Sequence, residues 1–516
     1  VAITDAGTIN EGETANFKVT LPNASESTVQ VELGLNLGDT EAGDLGSLEY
    51  NTGSGWVTVP NDGVVTVPAG QTEFDVRIAS VDDAVYEGSE DFSVTVTGIG
   101  AVQGSDTGTA TIVDDSSGPG PDPDDDRPSV AITDAGTINE GDTANFKVTL
   151  SSASESSVQV ELGLNLGNTE VGDLGTLEYN TGSGWVAVSN DGVVTVPAGQ
   201  TEFDVRIASI DDAVYEGPED FSVTVTGIGA VQGSDTGTAT IVDDGSGPGP
   251  DPDDDRPNVY IVEDSVGVNE GTDAVYTVRL SAAADIDVTV RLNTSTDGSN
   301  TAEADDIGSF VVTLADGVTV VNANSDGTYT IPAGENELKV TVPTTDDGVY
   351  EGDENFTVAV QGDTGVLGSD SALGIIYDGG NGPGPDPDDD RPSVYIVEDS
   401  VGVNEGTEAV YTVRLSEAAD IDVTVRLSTS TGGTNTAEPG DIGAIKLTLS
   451  DGVTVVTANS DGTYTIPAGE TDLKLFVPTT DDDVYEGDET FTVAVQGATG
   501  VLGTDTALGI IYDGGN

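Results

Sequence analysis

The strongest constraint on this chain is that it repeats itself. The run Val-Ala-Ile-Thr-Asp-Ala-Gly-Thr-Ile-Asn-Glu-Gly begins at Val1 and again at Val130, and a related run ending Val-Asn-Glu-Gly begins at Val259 and at Val394. The first two units are close copies, and so are the last two, giving an order A, A, B, B. Units this long and this alike predict tandem domains rather than short solenoid turns. The expected domains are 1–115, 130–244, 259–378 and 394–516, separated by linkers at 116–129, 245–258 and 379–393. Each linker carries the same Gly-Pro-Gly-Pro-Asp-Pro-Asp-Asp-Asp-Arg-Pro run, at Gly118–Pro128, Gly247–Pro257 and Gly382–Pro392. Alternating Pro favours an extended polyproline II spacer rising ~3.1 Å per residue. The chain starts where such a linker would end and stops before the next would begin, the phasing of a window cut from a longer array.

Within a unit the apolar residues recur with period two. Phe17, Val19 and Leu21 alternate with polar residues, as do Val29, Val31 and Leu33, then Phe74, Val76 and Ile78, then Phe92, Val94 and Val96. Runs rich in Val and Thr, bounded by Gly, Asn and Asp, predict a β-sandwich of about seven strands per unit. Val64–Gly70 predicts a further hairpin ending in a Pro/Gly turn. No stretch has the period of a useful amphipathic helix, so the expected class is all-β: four tandem β-sandwiches joined by Pro/Gly/Asp-rich linkers.

Charge narrows the function. With 94 acidic and 14 basic residues the net charge is −80, which excludes nucleic acid and anionic membrane as direct partners. Three explanations remain: bound divalent cations, a high-salt habitat, or disorder, and the clean alternation argues against disorder. There is no Cys and no His, which removes disulfides, thiolate and imidazole ligands and the usual general base. There is no Met either, so Val1 is not a translation start and the chain reads as a processed product or a piece of something longer. No signal peptide is recognisable. Apolar runs such as Ile375-Ile376-Tyr377 are far shorter than the ~20 residues a membrane helix needs.

The acids are not spread evenly. Asp82-Asp83-Ala84-Val85-Tyr86-Glu87-Gly88-Ser89-Glu90 recurs with small changes at Asp211–Glu219, Asp346–Glu354 and Asp481–Glu489, each time packing at least four carboxylates around one Tyr. Like charges at 4 Å repel by ~1 kcal/mol in water and ~4 kcal/mol at an effective dielectric near 20. In a seven-stranded sandwich the connections A–B, C–D and E–F and the end of strand G all fall at one tip. That tip collects Glu11, Asp44, Asp82, Asp83, Glu87, Glu90, Asp114 and Asp115. Its counterparts are Glu140, Asp173, Asp211, Asp212, Glu216, Glu219, Asp243 and Asp244, then Glu270, Asp306, Asp346, Asp347, Glu351, Glu354 and Asp378. The last unit offers Glu405, Asp441, Asp481, Asp482, Glu486, Glu489 and Asp513. Calcium takes six to eight oxygens at ~2.3–2.6 Å, which carboxylates and loop carbonyls supply, whereas magnesium prefers strict octahedra with retained waters. Bound calcium is therefore expected. Asp39 becomes Asn168 in the second unit, which weakens it as a ligand. Asp115 and Asp244 become Gly379 and Gly514, so the B units are expected to hold fewer ions unless linker acids such as Asp386, Asp388, Asp389 and Asp390 substitute.

The Asn-Glu-Gly before the second strand, the Asp44 region, Asp82-Asp83 with Glu87 and Glu90, and the closing Asp114-Asp115 resemble the Calx-β domain, in all four units. The resemblance implies an immunoglobulin-like sandwich binding several calcium ions at its carboxyl-terminal tip. The wording of the last unit is also similar to repeats of very large bacterial surface adhesins.

Other motifs fail or read as structure. Asp122, Asp124 and Asp126 mimic the start of an EF-hand loop, but Arg127 stands where Gly is required and Thr133 where Glu is. Gly379–Gly382 resembles a calcium nonapeptide repeat with its Asp misplaced. Trp56 and Trp185 could stack on sugar, but packing is the better reading, and Tyr86 is expected to be structural. The linker acids Asp122, Asp124, Asp125 and Asp126 divide evenly between ligands and solubility. No segment departs from the repeat to build a cleft, so the chain is not expected to be an enzyme. The expected role is a calcium-rigidified extracellular rod or extender of a bacterial cell-surface adhesin, whose partners are calcium and its own neighbouring repeats. The alternatives are a self-assembling filament of like chains, calcium-sensing regulatory domains, and salt adaptation with little specific binding.

Overall fold

The computed structural model describes residues 1–516 apart from 115–117, 119–124, 250–253, 385–388, 483 and 514–516. Asp115, Gly514 and the Pro-rich centres of the linkers, expected to run as polyproline II, thus lie outside the described residues. The described residues form strands and turns throughout, arranged in two compact units, Val1–Asp255 and Arg256–Asn516, with two repeats in each.

In the first repeat the strands are β1 (Ala2–Ile3), β2 (Gly7–Asn10), β3 (Thr14–Thr20), β4 (Val29–Asn36), β5 (Glu49–Asn51), β6 (Val57–Thr58), β7 (Val64–Val67), β8 (Glu73–Ala79), β9 (Glu90–Ile99) and β10 (Ser105–Val113). One sheet has the order β1-β3-β8-β5-β6 and the other β2-β10-β9-β4-β7. The same two sheets recur in each repeat, the third lacking the short strand that answers to β6. Period-two side chains from both sheets fill one core: Phe17, Val19, Val31, Val76, Phe92 and Val94 are all buried. Phe17 meets Phe92 edge to face at 6.2 Å between ring centres, and Phe146 meets Phe221 in the same way. In the third repeat Tyr276 replaces the first Phe and keeps the geometry with Phe356, and its buried hydroxyl donates to the Leu373 carbonyl at 3.3 Å.

Two expectations need correction. There are ten strands rather than about seven, partly because the short pair β5 and β6 is added and partly because the first strand is divided between the sheets: β1 pairs antiparallel with β3, while β2 pairs parallel with β10. The switch occurs at Gly7, whose φ of 77° is a left-handed conformation that favours Gly, and the Asp5 carboxylate anchors it by accepting from the Thr109 amide at 2.9 Å. The Val64–Gly70 run is not a hairpin either. Its strand is an edge partner of β4, and Pro68-Ala69-Gly70 carries the chain across to the other sheet.

The divided first strand sets up the tip. Parallel pairing puts Asn10 beside Val113, and the Glu11 amide donates to the Val113 carbonyl at 3.1 Å. The chain after β2 and the chain after β10 therefore emerge side by side.

Candidate metal centre

Two acidic groups form at the tip of each of the first two repeats. In the first group Glu11 meets Asp114 and the linker residue Asp126, with candidate ligand oxygens all within 4.8 Å of one another. Glu140 with Asp243 and Asp255, and Glu270 with Asp378 and Asp390, repeat it. In the second group Asp44 meets Glu87 and Glu90, and Asp173 meets Glu216 and Glu219, within the same limit. In the third and fourth repeats Asp306 shares a side-chain hydrogen bond with Glu354 beside Glu351, and Asp441 shares one with Glu489 beside Glu486.

Backbone hydrogen bonds hold these side chains in place. The Glu87 amide donates to Asp114 Oδ2 at 2.9 Å, tying the β8–β9 connection to the end of β10, and the Glu216 amide does the same to Asp243 at 3.0 Å. Glu351 on Asp378 and Glu486 on Asp513 repeat the bond. Asp44 is fixed at both ends of its residue: its carboxylate accepts from the Glu41 amide at 2.8 Å and its carbonyl from the Val81 amide at 2.7 Å. Asp82 and Asp83 stand at the rim of the first group, where the Asp83 amide donates to Glu11 Oε1 at 3.2 Å. The Gly of Asn-Glu-Gly makes room there: with φ of 75° at Gly12, an added Cβ would lie 3.1 Å from the Asp82 Cβ. Asp211, Asp346 and Asp481 press on Gly141, Gly271 and Gly406 in the same way. Asp211 and Asp212 act electrostatically on Glu140, Asp346 on Glu270, and Asp481 and Asp482 on Glu405; Asp347 acts on both Asp378 and Glu351. Asp244 instead accepts from the Ser246 amide at 3.0 Å.

Gathering acids out of water favours their protonated form. Burial, then the charge of Asp114, pushes Glu11 up to about 7. Burial and Asp44 push Glu87 up to about 8 and Glu90 up to about 7. Glu140, Glu219 and Glu270 rise to about 8 and Glu354 to about 9, each chiefly through burial and then through neighbouring carboxyls. Several of the buried oxygens accept no hydrogen bond from the described residues: Glu11 Oε2, Glu90 Oε2, Glu140 Oε2, Asp243 Oδ1 and Asp378 Oδ1. Asp243 and Asp378 are each 3% exposed. A buried carboxylate oxygen without a donor is costly, and a cation is the partner this donor set fits.

Of the linker acids evenly divided on sequence grounds, Asp122 and Asp124 lie outside the described residues, while Asp125 and Asp126 take different partners. Arg127 grips Asp125 with two bonds of 2.8 and 2.7 Å, and Arg391 grips Asp389 at 2.7 and 2.6 Å. The next residue in each linker, Asp126 or Asp390, joins the first acidic group. On sequence grounds Asp126 is an even choice between ligand and solubility and Asp390 only a substitute, although Asp-Asp-Asp-Arg-Pro recurs in all three linkers. The Gly opening each linker is packed against the Asn of Asn-Glu-Gly: a Cβ on Gly118 would fall 1.6 Å from Asn10 Oδ1, and one on Gly382 the same distance from Asn269 Oδ1. In the fourth repeat, which has no linker after it in this chain, Asn404 is exposed. Trp56 and Trp185 lie beneath the guanidinium groups of Arg77 and Arg206, at 4.1 and 4.0 Å, which favours packing over sugar stacking.

A two-sheet sandwich with a divided first strand and an acidic tip defines an immunoglobulin-like repeat module. The chain belongs to the Calx-beta domain family, whose model matches residues 8–116, 124–245, 252–314, 323–376, 387–459 and 458–507. Among individual proteins, the chain is 26% identical over 235 residues to extracellular matrix protein 3 of Lytechinus variegatus, a match covering 44% of this chain and 7% of that protein's length. Among solved structures, CBD12 from CALX1.2 is 17% identical, covering 47% of this chain and 99% of that one with a TM-score of 0.20. The protocadherin GammaB4 extracellular domain is 11% identical, covering 99% of this chain and 66% of that one with a TM-score of 0.30.

Proposed function

We propose that this chain is a calcium-binding, calcium-rigidified structural repeat region of an extracellular protein, with no catalytic role of its own. The observation that carries the reading is the set of buried carboxylate oxygens without donors, recurring at equivalent places in successive repeats. Glu11, Asp114 and Asp126 would hold one ion, with Asp82 and Asp83 at its rim, and Asp44, Glu87 and Glu90 another. Their counterparts in the later repeats would do the same. Oxygen ligands alone, in irregular groups mixing Asp, Glu and nearby loop carbonyls, suit calcium better than magnesium. An extracellular setting is supported by similarity to a protein named as an extracellular matrix component. Service as a spacer in a cell-surface adhesin rests on the tandem repeats and Pro-rich linkers, together with the wording of the last unit.

Ions that bind the folded chain and not the unfolded one raise its stability by mass action. Equilibrium dialysis with radioactive calcium counts the ions, and a thermal melt with and without chelator reads their effect. The expected result is several ions per repeat and a lower melting temperature in chelator. An unchanged melt together with no bound calcium removes the reading and returns the acids to solvated surface.

A further inference from the structure

The second acidic group has a neighbour outside its own repeat. In the second repeat, the loop between strands Thr143–Leu150 and Val158–Asn165 reaches the Tyr86 carbonyl of the first: the Glu155 amide and the Ser154 hydroxyl both donate to it, each at 3.1 Å. Tyr86 and Ser154 also form a parallel β-bridge. Because the residue after Tyr86 is Glu87, this docking brings the Glu155 carboxyl to the group of Asp44, Glu87 and Glu90. Its charge acts on both Glu87 and Glu90.

The arrangement recurs between the third and fourth repeats. The Asp420 amide donates to the Tyr350 carbonyl at 3.0 Å, and the charge of Asp420 acts on Glu351. There the tyrosine ring is 8% exposed and sits in the hydrophobic core of the following repeat with Ala419, Val423 and Val501. The docking is close: a Cβ on Gly500 would meet the Tyr350 ring at 2.6 Å, and one on Gly352 would meet Ile421 Cδ1 at 2.8 Å. A fold that only needed the tyrosine seated would gain by placing a neutral or basic residue next to the three carboxyls of the group. Instead the position is acidic in every repeat, as Glu26, Glu155, Asp285 and Asp420. The group it approaches contains Glu90, which is 8% exposed and has one oxygen without a hydrogen-bond partner among the described residues.

Resting on the calcium reading above, we propose that the second acidic group is an inter-repeat cation site. In it a divalent cation is held by Asp44, Glu87 and Glu90 of one repeat and by Glu155 from the next, with Asp306, Glu351, Glu354 and Asp420 forming the same site further along. The ion and the docked neighbour then favour each other, because linkage between two binding events is reciprocal. Calcium would thus fix the junction directly, through a ligand that exists only when the next repeat is seated on the tyrosine.

The test is made on the full chain, with calcium as the probe. Glu155→Gln alters an exposed side chain and leaves the core untouched. Glu26→Gln makes the same change in the first repeat, which has no repeat before it in this chain, and Glu90→Gln removes a ligand of the group itself. Equilibrium dialysis counts bound calcium across a concentration series. The chain has no Cys, so a pair of introduced cysteines places spin labels on the first and second repeats for distance measurement. The expected result for Glu155→Gln is one site weakened about tenfold or more, with a broader inter-repeat distance distribution at calcium levels that narrow it in the unsubstituted chain. Glu26→Gln should match the unsubstituted chain in both. If Glu90→Gln loses an ion while Glu155→Gln binds and orders normally, the site is confined to one repeat and the proposal falls, leaving the calcium reading intact. If Glu90→Gln also changes nothing, the second group holds no ion and the proposal falls, and if the unsubstituted chain itself binds no calcium, the calcium reading falls with it.

Discussion

A carboxyl group buried among other carboxyls becomes tolerable by keeping a proton or by meeting a cation, and the two solutions respond oppositely to pH. Glu87 is raised to about 8, Glu140 and Glu219 to about 8 and Glu354 to about 9, against about 4.3 for Glu in an unfolded chain. Between those limits the folded state binds more protons than the unfolded state. Stability without calcium is therefore greatest below the unfolded value and is lost as pH rises through the folded values. Melting temperature in decalcified buffer should fall steadily from pH 5 to 9. Saturating calcium, which displaces the protons, should flatten or reverse the trend, and a flat calcium-free profile would show that the groups are not gathered as described. Much of this chemistry was legible at the residue scale. Four copies of Asp-Asp-x-x-Tyr-Glu-Gly, with Glu11, Asp44 and Asp114 at fixed offsets, named most of the group. Asp126 was legible only as an even choice between ligand and solubility, and Glu155 not at all, because each joins the tip of the preceding repeat from a segment that belongs to no tip by strand order.

At the scale of the element, the site depends on the division of the first strand. If the chain from Ala2 to Asn10 stayed in one sheet, Glu11 would emerge away from β10 and the first group would lose its bridge to Asp114. Period-two alternation identified the strands but carries no information on which sheet a short strand joins, so the switch at Gly7 and the edge strand Val64–Val67 could not be read from it. Sheet pairing decides both, and pairing is a long-range contact. What holds the sheets together is ordinary core packing. Phe92 is 2% exposed and contacts Phe17 edge to face. Phe92→Ala should cost ~3–5 kcal/mol, confined to the first repeat, and should appear in calorimetry as an added low-temperature transition. Loss of the whole melt as one event would instead mean that the repeats do not unfold as separate bodies.

For the whole molecule, two compact units each hold two sandwiches whose acidic tips face a neighbouring repeat or linker within the unit where one follows. The sequence showed the tandem order and the acidic tips plainly, because duplication prints the same pattern four times. It was silent on the docking of Tyr350 into its neighbour, since an apolar ring in an acidic loop looks alike whether it plugs its own core or the next one. The central claim is that calcium stiffens this chain, and small-angle X-ray scattering in millimolar calcium and then in excess chelator tests it most directly. A long, stiff particle that shortens or loosens when calcium is withdrawn is the predicted result, and superimposable profiles under the two conditions would contradict it.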